Sequence, residues 1–262
     1  MSPFFPIFMK RSNTFSTAKP VVVFRSALFL LGQVASTLLI GPIMTLLWLS
    51  PFKVRYGAAN LWVRLNLWWL KTTCGLRYEV EGRELIPQGQ SGLIFCKHQS
   101  AFETLVLQVI FPPVVFILKR ELLRIPFWGW AMATLQPIAI NRSLKSLALK
   151  QILRDGEARI RSGRWVVLFP EGTRNTSEAA LLPFKSGLYH LSRHSPEVEF
   201  VPVWIDNIRR VMPKGELIPV PMICTVSFGE PLVLDAQEGK EAFLQRAQAA
   251  VLALRPQESL SC

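Results

Sequence analysis

The sequence predicts an α/β chain: a mixed central sheet flanked by helices, preceded by an N-terminal membrane-associated helical hairpin. Three observations carry this. From about Arg77 onward, short apolar runs alternate with stretches of helical periodicity, the texture of a sheet covered by helices. Before that point lies an uncharged run, Ser26 to Phe52, of 27 residues. The charge is also uneven, because no Asp or Glu precedes Glu79 whereas nine Lys and Arg do, so +9 of the formal +12 sits in the first 78 residues. The division that follows is a basic, loosely ordered segment over 1–25, a hairpin over 26–72 and an α/β domain over 73–262.

The chain of 262 residues is long enough to bury one catalytic domain plus an appendage. Half its residues are hydrophobic, high for a soluble domain and low for a polytopic membrane protein. Residues 1–25 are basic and proline-containing. Ser26–Phe52 exceeds the roughly 20 residues that cross a bilayer, yet Gly41-Pro42 lies in its middle, where proline is expected to kink or break a helix. A second apolar stretch, Ala58–Leu70, mixes Trp62, Trp68 and Trp69 with Arg64, a composition suited to the headgroup boundary. Basic residues flank the uncharged run on both sides, so both flanks belong on the cytoplasmic side, which a single span cannot satisfy. A half-inserted hairpin is therefore expected, with a single transmembrane helix as the alternative. A cleaved signal peptide fits less well, because the run is too long and lacks a clean small-residue cleavage site.

Within the domain, strands are expected at Gly92–Cys96, Val114–Leu118, Pro137–Ile140, Trp165–Phe169, Glu199–Trp204 and Ile223–Phe228. Helices are expected at Phe102–Ile110, Ser143–Arg161, Ser186–Arg193 and Gly239–Leu254. In Ser143–Arg161, Leu144, Leu147, Ile152 and Ala158 form one side and Lys145, Arg154 and Arg161 the other. The basic balance argues for anionic lipid rather than nucleic acid, because the positive residues frame the most apolar part of the chain. No nucleic-acid partner is expected. Cys74, Cys96, Cys224 and Cys262 show neither a CxxC nor metal spacing, which reads as free thiols in a reducing compartment.

Two short polar motifs stand out. Lys97-His98-Gln99-Ser100-Ala101-Phe102-Glu103 follows the apolar run Gly92–Cys96, and Phe169-Pro170-Glu171-Gly172-Thr173-Arg174 follows Trp165–Leu168. With His98 in the turn after a strand and Glu103 on the first turn of the next helix, the carboxylate can hold one imidazole N–H. The other ring nitrogen is then left to take a proton from an alcohol. A satisfied structural pair is the bland alternative. In the second motif Gly172 permits a tight turn exposing backbone N–H groups, and Arg174 offers a planar fork for phosphate; a strand-end turn with a surface arginine is its bland reading. Taken together, the motifs argue for acyl transfer to a phosphorylated alcohol. No G-x-S-x-G elbow occurs, so direct attack by the acceptor hydroxyl on a thioester fits better than a covalent acyl-enzyme. Cys96 offers a competing Cys/His nucleophilic pair, against the plainer reading of a small buried hydrophobe. His190 and His194 form an i,i+4 pair with no convincing third ligand, and no metal is expected. Trp128-Gly129-Trp130 reads as core or membrane contact, with lining of an acyl tunnel as the alternative.

In this order and separation, the two motifs resemble those of the lysophospholipid acyltransferase superfamily, particularly its bacterial 1-acyl-sn-glycerol-3-phosphate acyltransferase type. The first block, His-Gln-Ser-x-x-Asp, is matched by His98, Gln99, Ser100 and, in the Asp position, Glu103. The Phe-Pro-Glu-Gly-Thr-Arg block is matched in full by Phe169–Arg174. Two weaker blocks resemble Ile138–Arg142 and Val201–Trp204. The resemblance implies that His98 is the general base and Glu103 its orienting partner. It also implies that Arg142, Glu171, Gly172, Thr173 and Arg174 bind the glycerol phosphate and that Pro202 shapes the acyl-donor side. Lys185 is added here as a nearby cation. The implied reaction moves a fatty acyl group from acyl-CoA or acyl-carrier protein to lysophosphatidate, giving phosphatidate, with no cofactor beyond that co-substrate. The implied location is the cytoplasmic face of the inner membrane, in contact with membrane lipids. Rival readings are another lysolipid acceptor, such as a lyso-ornithine lipid, and a non-catalytic lipid-binding protein.

Overall fold

The structure, a computed structural model, describes residues 20–175, 181–207 and 221–256. The expectations for residues 1–19 and for Cys262 lie outside the described residues. Helix α1 (Pro20–Leu46) and helix α2 (Phe52–Cys74) come first. They are followed by β1 (Arg77–Glu81), β2 (Leu93–Cys96), α3 (Phe102–Ile110), β3 (Val114–Lys119), α4 (Trp128–Thr134), β4 (Ile138–Ile140), α5 (Lys145–Arg161) and β5 (Trp165–Leu168). Helix α6 (Gly187–His194), β6 (Phe200–Ile205), β7 (Ile223–Phe228) and α7 (Lys240–Ala253) complete the chain. The six strands expected from apolar runs are present within a residue or two. Strand β1 carries too few apolar residues to announce itself, and helix α4, though apolar, is only 7 residues long, too short for its periodicity to show.

The N-terminal helices form an antiparallel pair, but the break does not fall where the sequence placed it. Helix α1 continues through Pro42, and residues 20–25, expected to be loosely ordered, are its first turns. The chain reverses at Ser50-Pro51, where Ser50 is extended (φ −78°, ψ 160°), as a residue before proline prefers. Gly41 has another use: a Cβ there would sit 2.9 Å from Phe127 Cβ, so the bare backbone admits the segment leading into α4. Contacts with α2 and α4 on either side support α1 across the hydrogen bond that Pro42 cannot donate. Among the described residues one helical stretch, Pro20–Leu49, is long and apolar enough to cross a bilayer. Its outer face is unusually apolar, with Leu46 82%, Trp48 52% and Leu49 93% exposed at the hairpin tip.

The seven strands run in the order β1-β7-β6-β2-β5-β3-β4. Five are parallel. Strand β7 lies antiparallel to β6, and β1 pairs parallel with β7, so the sheet is mixed at one edge only. The buried strands are near-continuous Val, Ile, Leu and Phe, as a sheet covered on both faces requires. One face packs under α1, α2 and α3 through Phe29, Met44, Leu70, Phe102 and Leu107. The other packs under α5, α6 and α7 through Ile152, Leu188, Phe243 and Val251.

This topology creates the site. Strands β2 and β5 are neighbours, with Phe95 opposite Leu168, yet the chain leaves β2 toward β3 on one side and leaves β5 toward β6 on the other. Such a reversal of winding opens a crevice beyond the carboxyl ends of the strands. Both polar motifs begin at those two ends.

Candidate active site

Glu103 sits at the second position of α3, fully buried. One oxygen, Oε2, lies 2.6 Å from His98 Nδ1. The other, Oε1, accepts the backbone N–H groups of Gln99 and Ser100, the latter at 2.7 Å. The i,i+5 spacing works because the turn after β2 folds back over the start of α3, and the carboxylate caps that turn while it holds the imidazole. Ser100 adds to the cap by accepting the Phe102 N–H at 3.2 Å. A buried carboxylate with three donors is compensated rather than stranded. The His98 side chain is 16% exposed, so its far ring edge reaches the crevice.

The second motif folds onto the first. Phe169 stacks on the His98 ring with centroids 4.1 Å apart and planes 19° apart. Glu171, 2% exposed, points inward. Its Oε1 accepts the His98 N–H at 3.4 Å, and its Oε2 accepts the Asn175 side-chain N–H at 2.6 Å and the Leu182 N–H at 2.9 Å. The Asn175 N–H in turn donates to the His98 carbonyl at 2.6 Å. Glu171, expected at the phosphate, is thus engaged on both oxygens by N–H groups of the protein, an arrangement that braces the two motifs against each other. Phe169 and Asn175 are the two functional positions that sequence reasoning missed. Phe169 lay inside the quoted motif and Asn175 immediately after it, but no spacing rule reveals a ring stack or a backbone brace.

The cations gather at Gly172. Its φ of +69° places it in the left-handed region. Arg142 Nη1 donates to its carbonyl at 2.8 Å. The Lys185 chain lies over it, with Nζ 2.7 Å from where a Cβ would sit, and the Lys185 N–H is tied to the Pro170 carbonyl at 2.9 Å. Among the described residues Arg174 has no hydrogen-bond or ion-pair partner, and Thr173 is exposed. Arg142, Gly172 and Lys185 rim a cavity of about 670 Å³ whose deeper wall is apolar, with Ile117, Ile140, Leu149, Ile152 and Leu188. Phe169 is the partition, stacked on His98 and also lining the cavity.

Other expectations resolve differently. Pro202 is buried within β6, opposite Phe95, and its carbonyl accepts the Gly229 N–H at 3.1 Å. The side on which it lacks an N–H is where β7 has already ended, which is why a central strand tolerates it. It is not among the residues lining that cavity. Cys96 is fully buried, and burial, with Glu103 and Glu171 nearby, pushes its thiol well above the ordinary range, which fits the plainer reading of a small buried hydrophobe rather than a nucleophile. His194 is turned away from any metal-like pairing with His190, its Nε2 lying 2.8 Å from Glu157 on α5.

The acyltransferase family matches residues 77–206. A 1-acyl-sn-glycerol-3-phosphate acyltransferase of Pseudomonas aeruginosa is 48% identical over 125 residues, 47% of this chain and 48% of that protein. The enzyme of the same name from Saccharomyces cerevisiae is 34% identical over 140 residues, 53% of this chain and 46% of that protein. The matched stretch thus spans about half the length of these relatives. The crystal structure of the 1-acyl-sn-glycerophosphate acyltransferase PlsC from Thermotoga maritima superposes with a TM-score of 0.73 at 21% identity, covering 88% of this chain and 93% of that one, which establishes the shared fold. With both motifs folded into one hydrogen-bonded unit inside the matching stretch, residues 77–206 are a domain of the acyltransferase family.

Proposed function

We propose that the protein is a 1-acylglycerol-3-phosphate O-acyltransferase that converts lysophosphatidate to phosphatidate without a covalent acyl-enzyme. The single observation that carries this reading is the His98–Glu103 pair seated beside an arginine-rich turn at one strand edge. With Nδ1 held by Glu103, Nε2 takes the proton of the acceptor hydroxyl as its oxygen attacks the thioester carbonyl. Glu103 stabilises the imidazolium that forms. Collapse of the tetrahedral adduct expels the donor thiolate, which recovers the proton from His98. Arg174 and Lys185, with Arg142 fixing the turn, hold the phosphate. The apolar cavity behind that cationic rim suits an acyl chain whose anionic head stays at the mouth. The names of the relatives favour the same acceptor.

The donor is acyl-CoA or acyl-carrier protein, either of which delivers a polar thioester from the aqueous side. The hairpin lies half-inserted in the inner membrane from its cytoplasmic face, supported by its exposed apolar surface and its basic flanks. Purified protein assayed against a panel of lysolipids with both thioesters tests the reading. Highest kcat/KM is expected for lysophosphatidate, and a preference for an acceptor without phosphate overturns it. His98→Ala is expected to lower turnover at least 10²-fold with the fold intact, as loss of a positioned base does. Near-normal turnover in that variant removes the base assignment.

A further inference from the structure

At the opposite edge of the sheet from His98, three arginines converge with no acid between them. Arg55, in the first turn of α2, is 7% exposed; its Nη1 donates to the Thr134 carbonyl at 2.8 Å, and its Nε is buried without a partner. Arg159, near the end of α5, donates from Nε to the Gln136 carbonyl at 3.0 Å. Arg164, just before β5, donates from Nη1 to the Gln136 side-chain oxygen at 2.8 Å and stacks over the Phe52 ring with Cζ 3.6 Å from its centroid. Gln136 takes a left-handed backbone (φ 55°), so one residue offers both a main-chain and a side-chain oxygen and seats two guanidiniums side by side.

These oxygens satisfy donors but neutralise nothing. Among the described residues none of the three arginines is ion-paired. Burial, followed by the charges of Arg159 and Arg55, holds the Arg164 guanidinium below its ordinary value, the mark of crowded like charge. A buried, unpaired guanidinium is costly, and an anion is the group that offsets it. The forks of Arg159 and Arg164 keep further donors and are partly exposed. Three residues before Phe52 begins the hairpin tip, where Trp48 and Leu49 are exposed. An apolar tip beside an arginine cluster is the arrangement of a protein that meets a phospholipid at its headgroup.

We infer that Arg55, Arg159 and Arg164 form a phosphate-binding site, separate from the catalytic edge, that takes the headgroup phosphate of an anionic phospholipid. The cluster lies roughly 15 Å from His98, the length of β5 and its flanks. The site anchors the lower edge of the domain to the membrane surface.

Thermal melting of the full chain in detergent, titrated with dioctanoyl phosphatidylglycerol, dioctanoyl phosphatidylcholine or inorganic phosphate, tests this. Arg159→Gln with Arg164→Gln is expected to raise the half-saturating phosphatidylglycerol concentration about 25-fold, taking roughly five-fold per arginine. Arg159→Lys with Arg164→Lys keeps the charge and the fold but loses the planar forks, and a several-fold loss is expected. Arg83→Gln with Lys240→Gln, two exposed cations elsewhere, is expected to change little. A loss confined to the lipid identifies a headgroup as the source, and an equal loss with inorganic phosphate identifies a soluble one. Equal behaviour of cluster and control variants overturns the site. So does disappearance of the cluster effect in an Arg174→Gln background, which assigns the lipid to the catalytic edge.

Discussion

Glu103 divides its work between its two oxygens, and the division makes a prediction. Oε1 holds two backbone N–H groups of the turn, and Oε2 holds the imidazole. Glu103→Gln keeps an acceptor for the turn but replaces an anion with a dipole at His98, so the imidazolium formed during proton transfer loses its stabilising charge. Turnover is expected to fall about 10²-fold or more with melting little changed, since the cap survives. Glu103→Ala removes the cap as well and leaves two buried N–H groups unpaired, at about 1–3 kcal/mol each. Comparing kcat and melting temperature for the two variants separates catalysis from folding. If the Gln variant loses stability as severely as the Ala variant, the cap depends on charge, and the division fails. At this scale the sequence was only half legible. His98 and Glu103 could be paired from strand and helix boundaries, whereas the inward aim of Glu171 is set by donors at His98, Asn175 and Leu182, which lie up to 73 residues away.

At the scale of elements, the loop after β5 is a strut between two motifs rather than a simple anion turn. Asn175 and Glu171 hold the backbone of His98 from both its N–H and its carbonyl. Asn175→Ala keeps the backbone N–H to the His98 carbonyl but removes the side-chain N–H that holds Glu171 Oε2, so it should lower kcat about ten-fold while the KM for the phosphorylated acceptor stays near its starting value, because loosening Glu171 shifts the base and not the phosphate contacts. Arg174→Ala should do the reverse, raising that KM with a smaller effect on kcat. Steady-state kinetics on the two variants checks both, and identical kcat and KM patterns would refute the separation of roles. Elements themselves were legible wherever a strand is buried on both faces, since β2 and β5 are uninterrupted apolar runs, β3 is one up to Lys119, and β6 is broken only by Pro202. Strand β1 was not, because as an edge strand it alternates exposed and half-buried residues in Arg-Tyr-Glu-Val-Glu. Pro42 misled for a related reason: a proline's cost is read locally, but the packing of α1 on α2 and α4 that carries the helix past it is not. Restoring the missing donor with Pro42→Ala should thus raise the melting temperature, by the equivalent of about 1–3 kcal/mol at most. A loss of stability would show that the helix needs the kink.

For the whole molecule, the hairpin reading makes a prediction about which side of a bilayer holds the N-terminus and which holds the α/β domain. Helix α1 begins beside the end of α2, where Cys74 Sγ lies 3.6 Å from the Arg25 carbonyl, so the pair returns the chain to the side from which it left. The sheet then hangs from α2 through Tyr56, whose hydroxyl accepts the Val114 N–H at 3.0 Å and donates to the Gln108 carbonyl at 3.1 Å. A monotopic hairpin requires the N-terminus and the α/β domain to share one side of the bilayer; a spanning α1 requires them to be opposite, with α2 and its Lys53, Arg55, Arg64 and Lys71 left to find water. An N-terminal tag on protein in sealed inverted vesicles should accordingly be cleaved by added protease as readily as a C-terminal one. Protection of the N-terminal tag alone would establish a span. The hairpin reading also predicts that Leu49→Lys with Trp48→Lys weakens membrane retention in carbonate extraction, because charges at a half-inserted tip must be buried in hydrocarbon. At the far end of a true span the same lysines would reach the opposite headgroups and cost little.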